Sequence, residues 1–305
     1  MKDTATCSFR KSDFYETIQP GIGPKYGGLF NYIDHQRALS ERRDLQPMFS
    51  PANIKLYETR YDQQLDKLIA VMKERIEIDL FGYFKFLMLD VIGDLSFNKT
   101  FGQVESGEEH QYVKDFNNAF MLIGLQTTFA FIIPFIPYLP FKGLKDAYFG
   151  LQRVFAYSQE RVKEYLARDA SNKKGSLMSG YLDMNTGELK KGYSTWSIAL
   201  AGHGFIIAGS EATSITLTYI IWNLIQYPEI DRKLRAELST LPAESSYTEL
   251  AKLPYMDSVI RETLRIYPPA PSPMPRIVPA SGFSMGNVVY PAKLHSSNTA
   301  ALVVV

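Results

Sequence analysis

Residues 200–226 read LAGHGFIIAGSEATSITLTYIIWNLIQ. The run is apolar except at its centre, where Ala208, Gly209, Ser210, Glu211, Ala212 and Thr213 stand together. The apolar length predicts one helix from about Thr195 to Tyr227, stopped by Pro228. At 1.5 Å per residue such a helix is roughly 50 Å long, the width of a large domain, so it crosses the molecule. Its longest uncharged run, Ala212 to Pro228, is shorter than a membrane span needs and contains Thr216, Thr218 and Asn223, which favours a buried core helix. A helix-interior glycine costs about 1 kcal/mol against alanine. A buried Glu211 costs more unless it is paired or protonated. One reading is that Gly209 lets a flat or bulky group approach the backbone while Glu211 and its hydroxyl neighbours hold water and relay protons. The other places Gly209 at a tight helix crossing and Glu211 at the surface. The motif alone leaves both open.

The rest of the chain limits the function classes. With 305 residues, 46% of them hydrophobic, there is ample material for a core. A net charge of +1 gives no electrostatic case for nucleic acid or an acidic partner. Cys7 is the only cysteine, which excludes an internal disulfide, a four-cysteine zinc site and a cysteine-held iron–sulfur cluster, and fits a reducing compartment such as the cytoplasm. The histidines form no His-x3-His pair, so no metal site is expected from them. The N-terminal MKDTATCSFRKSDF has no apolar stretch, and no transmembrane anchor is expected in it.

Periodicity predicts mainly α structure. Residues 36–50 read as a short helix ended by Pro47. Residues 53–77 are amphipathic, with Leu56, Leu65, Leu68, Ile69, Met72 and Ile76 at helical spacing. Residues 79–96 are apolar nearly all round and read as a core helix; 111–131 and 146–169 are also helical. IPFIPYLPF, with Pro134, Pro137 and Pro140, reads as a loop or broken cap. Residues 171–193 are polar and turn-rich and read as a surface loop. Helices PEIDRKLRAEL and PYMDSVIRETLRIY follow, then a Pro- and Gly-punctuated stretch with short β-prone pieces. No linker marks a domain boundary. The terminal ALVVV reads as a strand awaiting partners and therefore as the edge of an unfinished domain.

Two further motifs carry chemistry. Glu262 and Arg265 lie at i, i+3 on one helix face, either as an exposed ion pair or as a buried structural clasp against the proline-rich turn that follows. Arg276, in PMPRIVP, is held in a rigid segment suited to bidentate binding of a carboxylate. For Arg276, and for Arg42 and Arg43 in SERRDLQPMFS, solvated charge is the plain alternative.

The order AGSEAT, YPEIDRKLRAEL, LPYMDSVIRETLRIYPP and PMPRIVP resembles the cytochrome P450 family over about residues 12 to 291, in a style similar to fungal members that tailor secondary metabolites. The resemblance implies a mainly α fold in which these segments are helices I, J and K and the turn after K, SERRDLQPMFSP is helix C, and LDVIGDLSFNKTFG is helix E and its exit. It implies heme as cofactor. Ala208 and Gly209 would face it, with Gly209 leaving room for dioxygen and Glu211 in the proton relay. Arg42 or Arg43, and Arg276, would bind the propionates, and Glu262 with Arg265 would support the proximal side. A hydrophobic substrate would lie against the long helix, with Ile206, Ile207 and the 116–131 region as possible lining. NADPH-cytochrome reductase would be the redox partner, and the endoplasmic reticulum membrane the usual location.

Two departures qualify this. Threonine normally follows the acid directly; here Ala212 does, and Thr213 lies about 100° further round the helix. The family's axial cysteine lies in a loop well beyond the Glu-x-x-Arg helix, whereas Cys7 precedes the helix C segment. The expectation is therefore a single incomplete P450 domain over 1–305, without N-terminal anchor or Cys loop, and inactive as it stands. The alternatives are a full-length active monooxygenase behind a mis-read frame, a non-catalytic remnant that binds a redox partner, and a heme-free enzyme using Glu211 as acid or base.

Overall fold

Capping and proline chemistry set the ends of the main helices. The computed structural model describes residues 9–17, 28–169, 173, 175–183, 185–242, 245–271 and 274–291. Cys7, the tail from 292 onward and its ALVVV stretch lie outside the described residues. Strand β1 (Arg10–Lys11) and a one-turn helix α1 (Phe14–Thr17) lead to α2 (His35–Leu45), capped by the Asp34 carboxylate, which accepts from the Gln36 and Arg37 amides. Pro47 does not simply stop α2; the chain runs on as a 3₁₀ turn, Gln46–Phe49. Ser50 then caps α3 (Pro51–Glu74), whose proline occupies the first turn, where no amide is needed.

Helices α4 (Leu80–Phe97), α5 (Gln103–Ser106), α6 (Gln111–Phe129) and α7 (Lys142–Leu166) follow. Between α6 and α7, Ala130–Tyr138 forms a 3₁₀ stretch with Pro134 and Pro137 inside it. The long helix is α8 (Thr195–Gln226), opened by a reciprocal Ser194–Ser197 capping box. Pro228 starts α9 (Pro228–Leu238); α10 (Tyr247–Leu250) and α11 (Pro254–Ile266) complete the helices. β2 (Arg276–Ile277) pairs antiparallel with β1, and β3 (Phe283–Met285) with β4 (Val288–Tyr290). The architecture is mainly α, as the periodicity predicts.

The core forms where α4 and α7 pack on α8 and α6 packs on α7. Leu89, Phe97, Val113, Phe116, Val154, Val162, Ile198 and Ile206 belong to its main apolar cluster. Burial on α8 is uneven: Ile198 to His203, Ile206, Ser210 and Ser214 are buried, while Tyr219, Trp222 and Ile225 are exposed. By length and composition alone α8 also passes as a candidate membrane span, with a mean hydropathy of 1.3 in its most apolar window.

Three sequence readings are corrected by packing. On α3 the buried face is Tyr57, Gln64 and Leu68; Leu56, Ile69, Met72 and Ile76 are exposed, because α4 and α5 cover the tyrosine side of that helix. The segment 171–193 is not all surface, since Leu177–Tyr181 is a buried 3₁₀ turn against α2. It is held there by the Tyr181 hydroxyl, which donates to buried Glu41 at 2.7 Å, and by Lys190, which donates to Asp44 and to the Gly180 carbonyl. Phe116 and Ile206 are core residues rather than the lining of an open pocket, and Phe131 is exposed.

Candidate functional site

On α8 the residues with least side chain sit where the helix is open. Gly204 and Ala208 are exposed and Ala212 is half-buried, one turn apart on the same side of the helix. A Cβ added at Gly204 would meet nothing within 4 Å. Gly209 belongs to a different face: its missing Cβ would lie 2.9 Å from two atoms of Ile92 on α4. Gly202, one heptad earlier, admits the ring of Phe97 in the same way. Gly209 therefore does not open space for a ligand. It allows α4 and α8 to approach, which is the helix-crossing reading of this glycine.

The polar residues of the motif are also accounted for. Ser210 donates to the Ile206 carbonyl at 2.6 Å, Ser214 to Glu211 O, Thr216 to Ala212 O and Thr218 to Ser214 O. These hydroxyl donors are thus engaged by the helix's own backbone. Thr213 is exposed. Glu211, its side chain 29% exposed, forms an ion pair with Lys85 of α4 at 2.9 Å. It is neither a lone buried acid nor a free surface one.

On the buried side of α8, next to Gly204, His203 and Tyr112 are hydrogen-bonded at 2.6 Å through Nδ1 and the phenol, with Phe116 and Phe155 rings packed around the imidazole. Burial pushes the imidazole down to about 4, so it is neutral at physiological pH. Periodicity places His203 in the helix but gives no hint of this partner.

The cationic residues separate into two groups. Arg276 and Lys11 are register partners across β1 and β2. Arg276 donates to the Tyr15 hydroxyl and, at 3.2 Å, to Pro275 O, and its guanidinium lies over the Tyr15 ring. Lys11 donates to the carbonyls of Leu29 and Phe30 at 3.1 and 2.7 Å. Burial, then the charges of Arg276 and Arg42, hold its ammonium below the usual lysine range. Arg42, exposed at the end of α2, thus shares an electropositive corner with Arg276 and Lys11. Arg43 instead lies beside Asp44: burial opposes ionisation there, but hydrogen bonds from Lys190 and Tyr193, with the charges of Lys190 and Arg43, hold that carboxyl low. Lys11 was invisible to sequence reasoning because only the strand pairing brings it to Arg276.

The Glu262–Arg265 pair forms bidentately, at 2.7 and 2.8 Å. Its side chains are 56% and 70% exposed, so it is a surface pair and not a buried clasp.

Two features suit heme, one on α8 and one at the β1–β2 corner. A flat apolar group can reach the backbone of α8 across Gly204 and Ala208, where a side chain would stand in the way. The Lys11–Arg42–Arg276 corner is suited to carboxylates. The axial position has no counterpart among the described residues, since Cys7 lies outside them.

Comparison with known proteins agrees. The cytochrome P450 family description matches residues 6–292. The chain is 33% identical over 282 residues to cytochrome P450 monooxygenase tazI of Aspergillus terreus, covering 91% of this chain and 57% of that protein. It is 28% identical over 291 residues to cytochrome P450 monooxygenase orf2 of Aspergillus niger, covering 93% and 58%. A crystal structure of a cytochrome P450, CYP102L1, superposes with a TM-score of 0.75 at 17% identity, covering 94% of this chain and 66% of the other. The chain thus spans a little over half the length of these curated relatives. With the family pattern running through nearly all of its helices, the chain belongs to the cytochrome P450 family.

Proposed function

We propose that this chain forms the oxygen-side wall and propionate corner of a fungal cytochrome P450 monooxygenase that oxidises a hydrophobic small molecule in a secondary-metabolite pathway. The observation that carries the proposal is the open small-residue face of α8 at Gly204 and Ala208. The family match and the named fungal monooxygenases support it. Heme, when bound, would supply dioxygen activation with electrons from an NADPH-dependent reductase, at the endoplasmic reticulum membrane in the usual arrangement of the family.

The chain's own residues do the rest. Gly204, Ala208 and Ala212 keep the helix flat for the ring. Arg276 and Arg42, with Lys11, bind carboxylates at its edge and set its orientation. The core of α4, α6 and α7 behind α8 keeps water from the buried side of the helix. Glu211, next to Ala212 on α8, is the residue for proton exchange there. Ala212 has no hydroxyl to pass a proton on, and Thr213 lies on another side, so proton delivery is slower than in a site with threonine after the acid.

Residues 1–305 hold one cysteine, and it precedes helix α2. We propose that these residues alone take up heme without thiolate ligation and do not turn over. The test is the absorption spectrum of residues 1–305 with added heme, reduced and with carbon monoxide. Heme uptake without a thiolate-type band is expected. A thiolate-type band would overturn the inactive assignment, and no uptake at all would overturn the proposed cradle.

A further inference from the structure

Among the described residues, Lys85 is the cation paired with Glu211. It comes from α4, 126 residues earlier in the chain, and its side chain is only 13% exposed. Its ammonium also lies 3.7 Å from Glu109 and 3.5 Å from Asn117 Oδ1. Asn117 in turn donates to Glu109 at 3.0 Å. One ammonium is therefore shared between two carboxylates, on α8 and the approach to α6, and one amide oxygen on α6 itself. The hydroxyls of Ser210, Ser214 and Thr216 give their hydrogens to helix carbonyls and not to the Glu211 carboxylate.

We propose that Lys85 is a positioning residue that draws the Glu211 carboxylate into the seam between α4 and α6 and so keeps it from the open face of α8. The inference rests on the reading above that this face is where the reaction occurs. A carboxylate paired with an ammonium at 2.9 Å has its charge compensated and its side chain held by a fixed contact. Ala212, which has no hydroxyl, cannot bridge the gap to the open face. Proton delivery from Glu211 then requires the Lys85 contact to open. Glu109, 30% exposed, gives Lys85 an alternative partner when it does. The Asn117 amide keeps that alternative in place from α6.

The experiment uses residues 1–305 with Lys85→Met, Lys85→Arg and Glu109→Gln, each checked for native melting. Carbodiimide alone is expected to join Lys85 to Glu211 in the parent chain, a zero-length link that only a direct contact forms. Carbodiimide with glycine ethyl ester, read by peptide mass spectrometry, is expected to label Glu211 severalfold faster in Lys85→Met, with the parent rate restored in Lys85→Arg. Equal labelling in a folded Lys85→Met chain overturns the proposal. If that variant does not fold, Glu109→Gln decides: removing the competing carboxylate raises the yield of the Lys85–Glu211 link, and an unchanged or lower yield overturns the proposal. In heme-loaded protein, the infrared stretch of bound carbon monoxide shifts in Lys85→Met and reverts in Lys85→Met/Glu211→Gln. An unshifted band in Lys85→Met overturns the proposal. Failure to load heme counts against the functional reading, while the labelling result still stands for Lys85.

Discussion

Three glycines within eight residues of α8 make opposite demands, and the same substitution separates them. Alanine in place of a helix-interior glycine stabilises by about 1 kcal/mol when the new methyl group meets no obstacle. At Gly204 a Cβ meets nothing within 4 Å, so Gly204→Ala takes the whole gain. At Gly202 the Cβ would stand inside the van der Waals envelope of Phe97 Cζ, with Cε1 and Cε2 at 3.3 Å. Phe97 is 3% exposed and belongs to the main core, so its ring has little room to retreat. Overpacking of this kind costs about 1–3 kcal/mol. Gly202→Ala is therefore net destabilising by roughly 1 kcal/mol after the helix-propensity gain. The two variants should differ by about 2 kcal/mol, or roughly 3 °C in melting midpoint for a chain of this size. Melting at one scan rate, followed by circular dichroism, measures the difference without assuming two-state unfolding. If Gly202→Ala melts as high as Gly204→Ala, α4 does not seat Phe97 on α8 and the core arrangement is wrong. If Gly204→Ala lowers the midpoint, the open face is filled by protein and the heme cradle fails with it.

Other substitutions test other parts. Gly204→Leu should fold as the parent does but lose heme uptake, read by titration of heme absorbance. His203, with its pKa depressed by burial to about 4, makes stability fall with acid: the unfolded chain takes up a proton near pH 6.5 and the folded chain only near 4. Between pH 7 and pH 5 the parent should therefore lose up to about 2 kcal/mol that a His203→Gln chain does not, measured as the difference in urea midpoints. Asp90, buried on α4, accepts the Val104 amide at 2.9 Å and holds the turn into α5; Asp90→Ala should cost about 2 kcal/mol, and no change in the urea midpoint would show that the amides find other partners. Arg60 ties α3 to Asp94, Asn98 and Gly175 O; Arg60→Met should cost about 2 kcal/mol and increase proteolysis near residue 175.

What the sequence by itself determined is local. The ends of α8 follow from Ser194 with Ser197 and from Pro228, groups that act within one turn of themselves. The order of helices, their lengths and the mainly α class follow from apolar spacing for the same reason. The motifs that identify the family are contiguous and survive in one dimension. What only the tertiary structure decided depends on a neighbour from elsewhere in the chain. Gly209 reads equally as a ligand cradle or a helix crossing until Ile92 of α4 is seen against it. Glu211 reads equally as a relay acid or a surface charge until Lys85 arrives from another helix. Arg42 and Arg43 are indistinguishable as adjacent letters; Lys11 on one side and Asp44 on the other assign them different tasks. The buried turn at 177–181 lies within a polar, turn-rich segment that passes for surface, and its hydrogen bonds to α2 and the loop before α8 hold it inside. Spacing along one chain fixes which residues share a helix face, but which face meets which partner is set by packing between segments that the sequence does not place side by side.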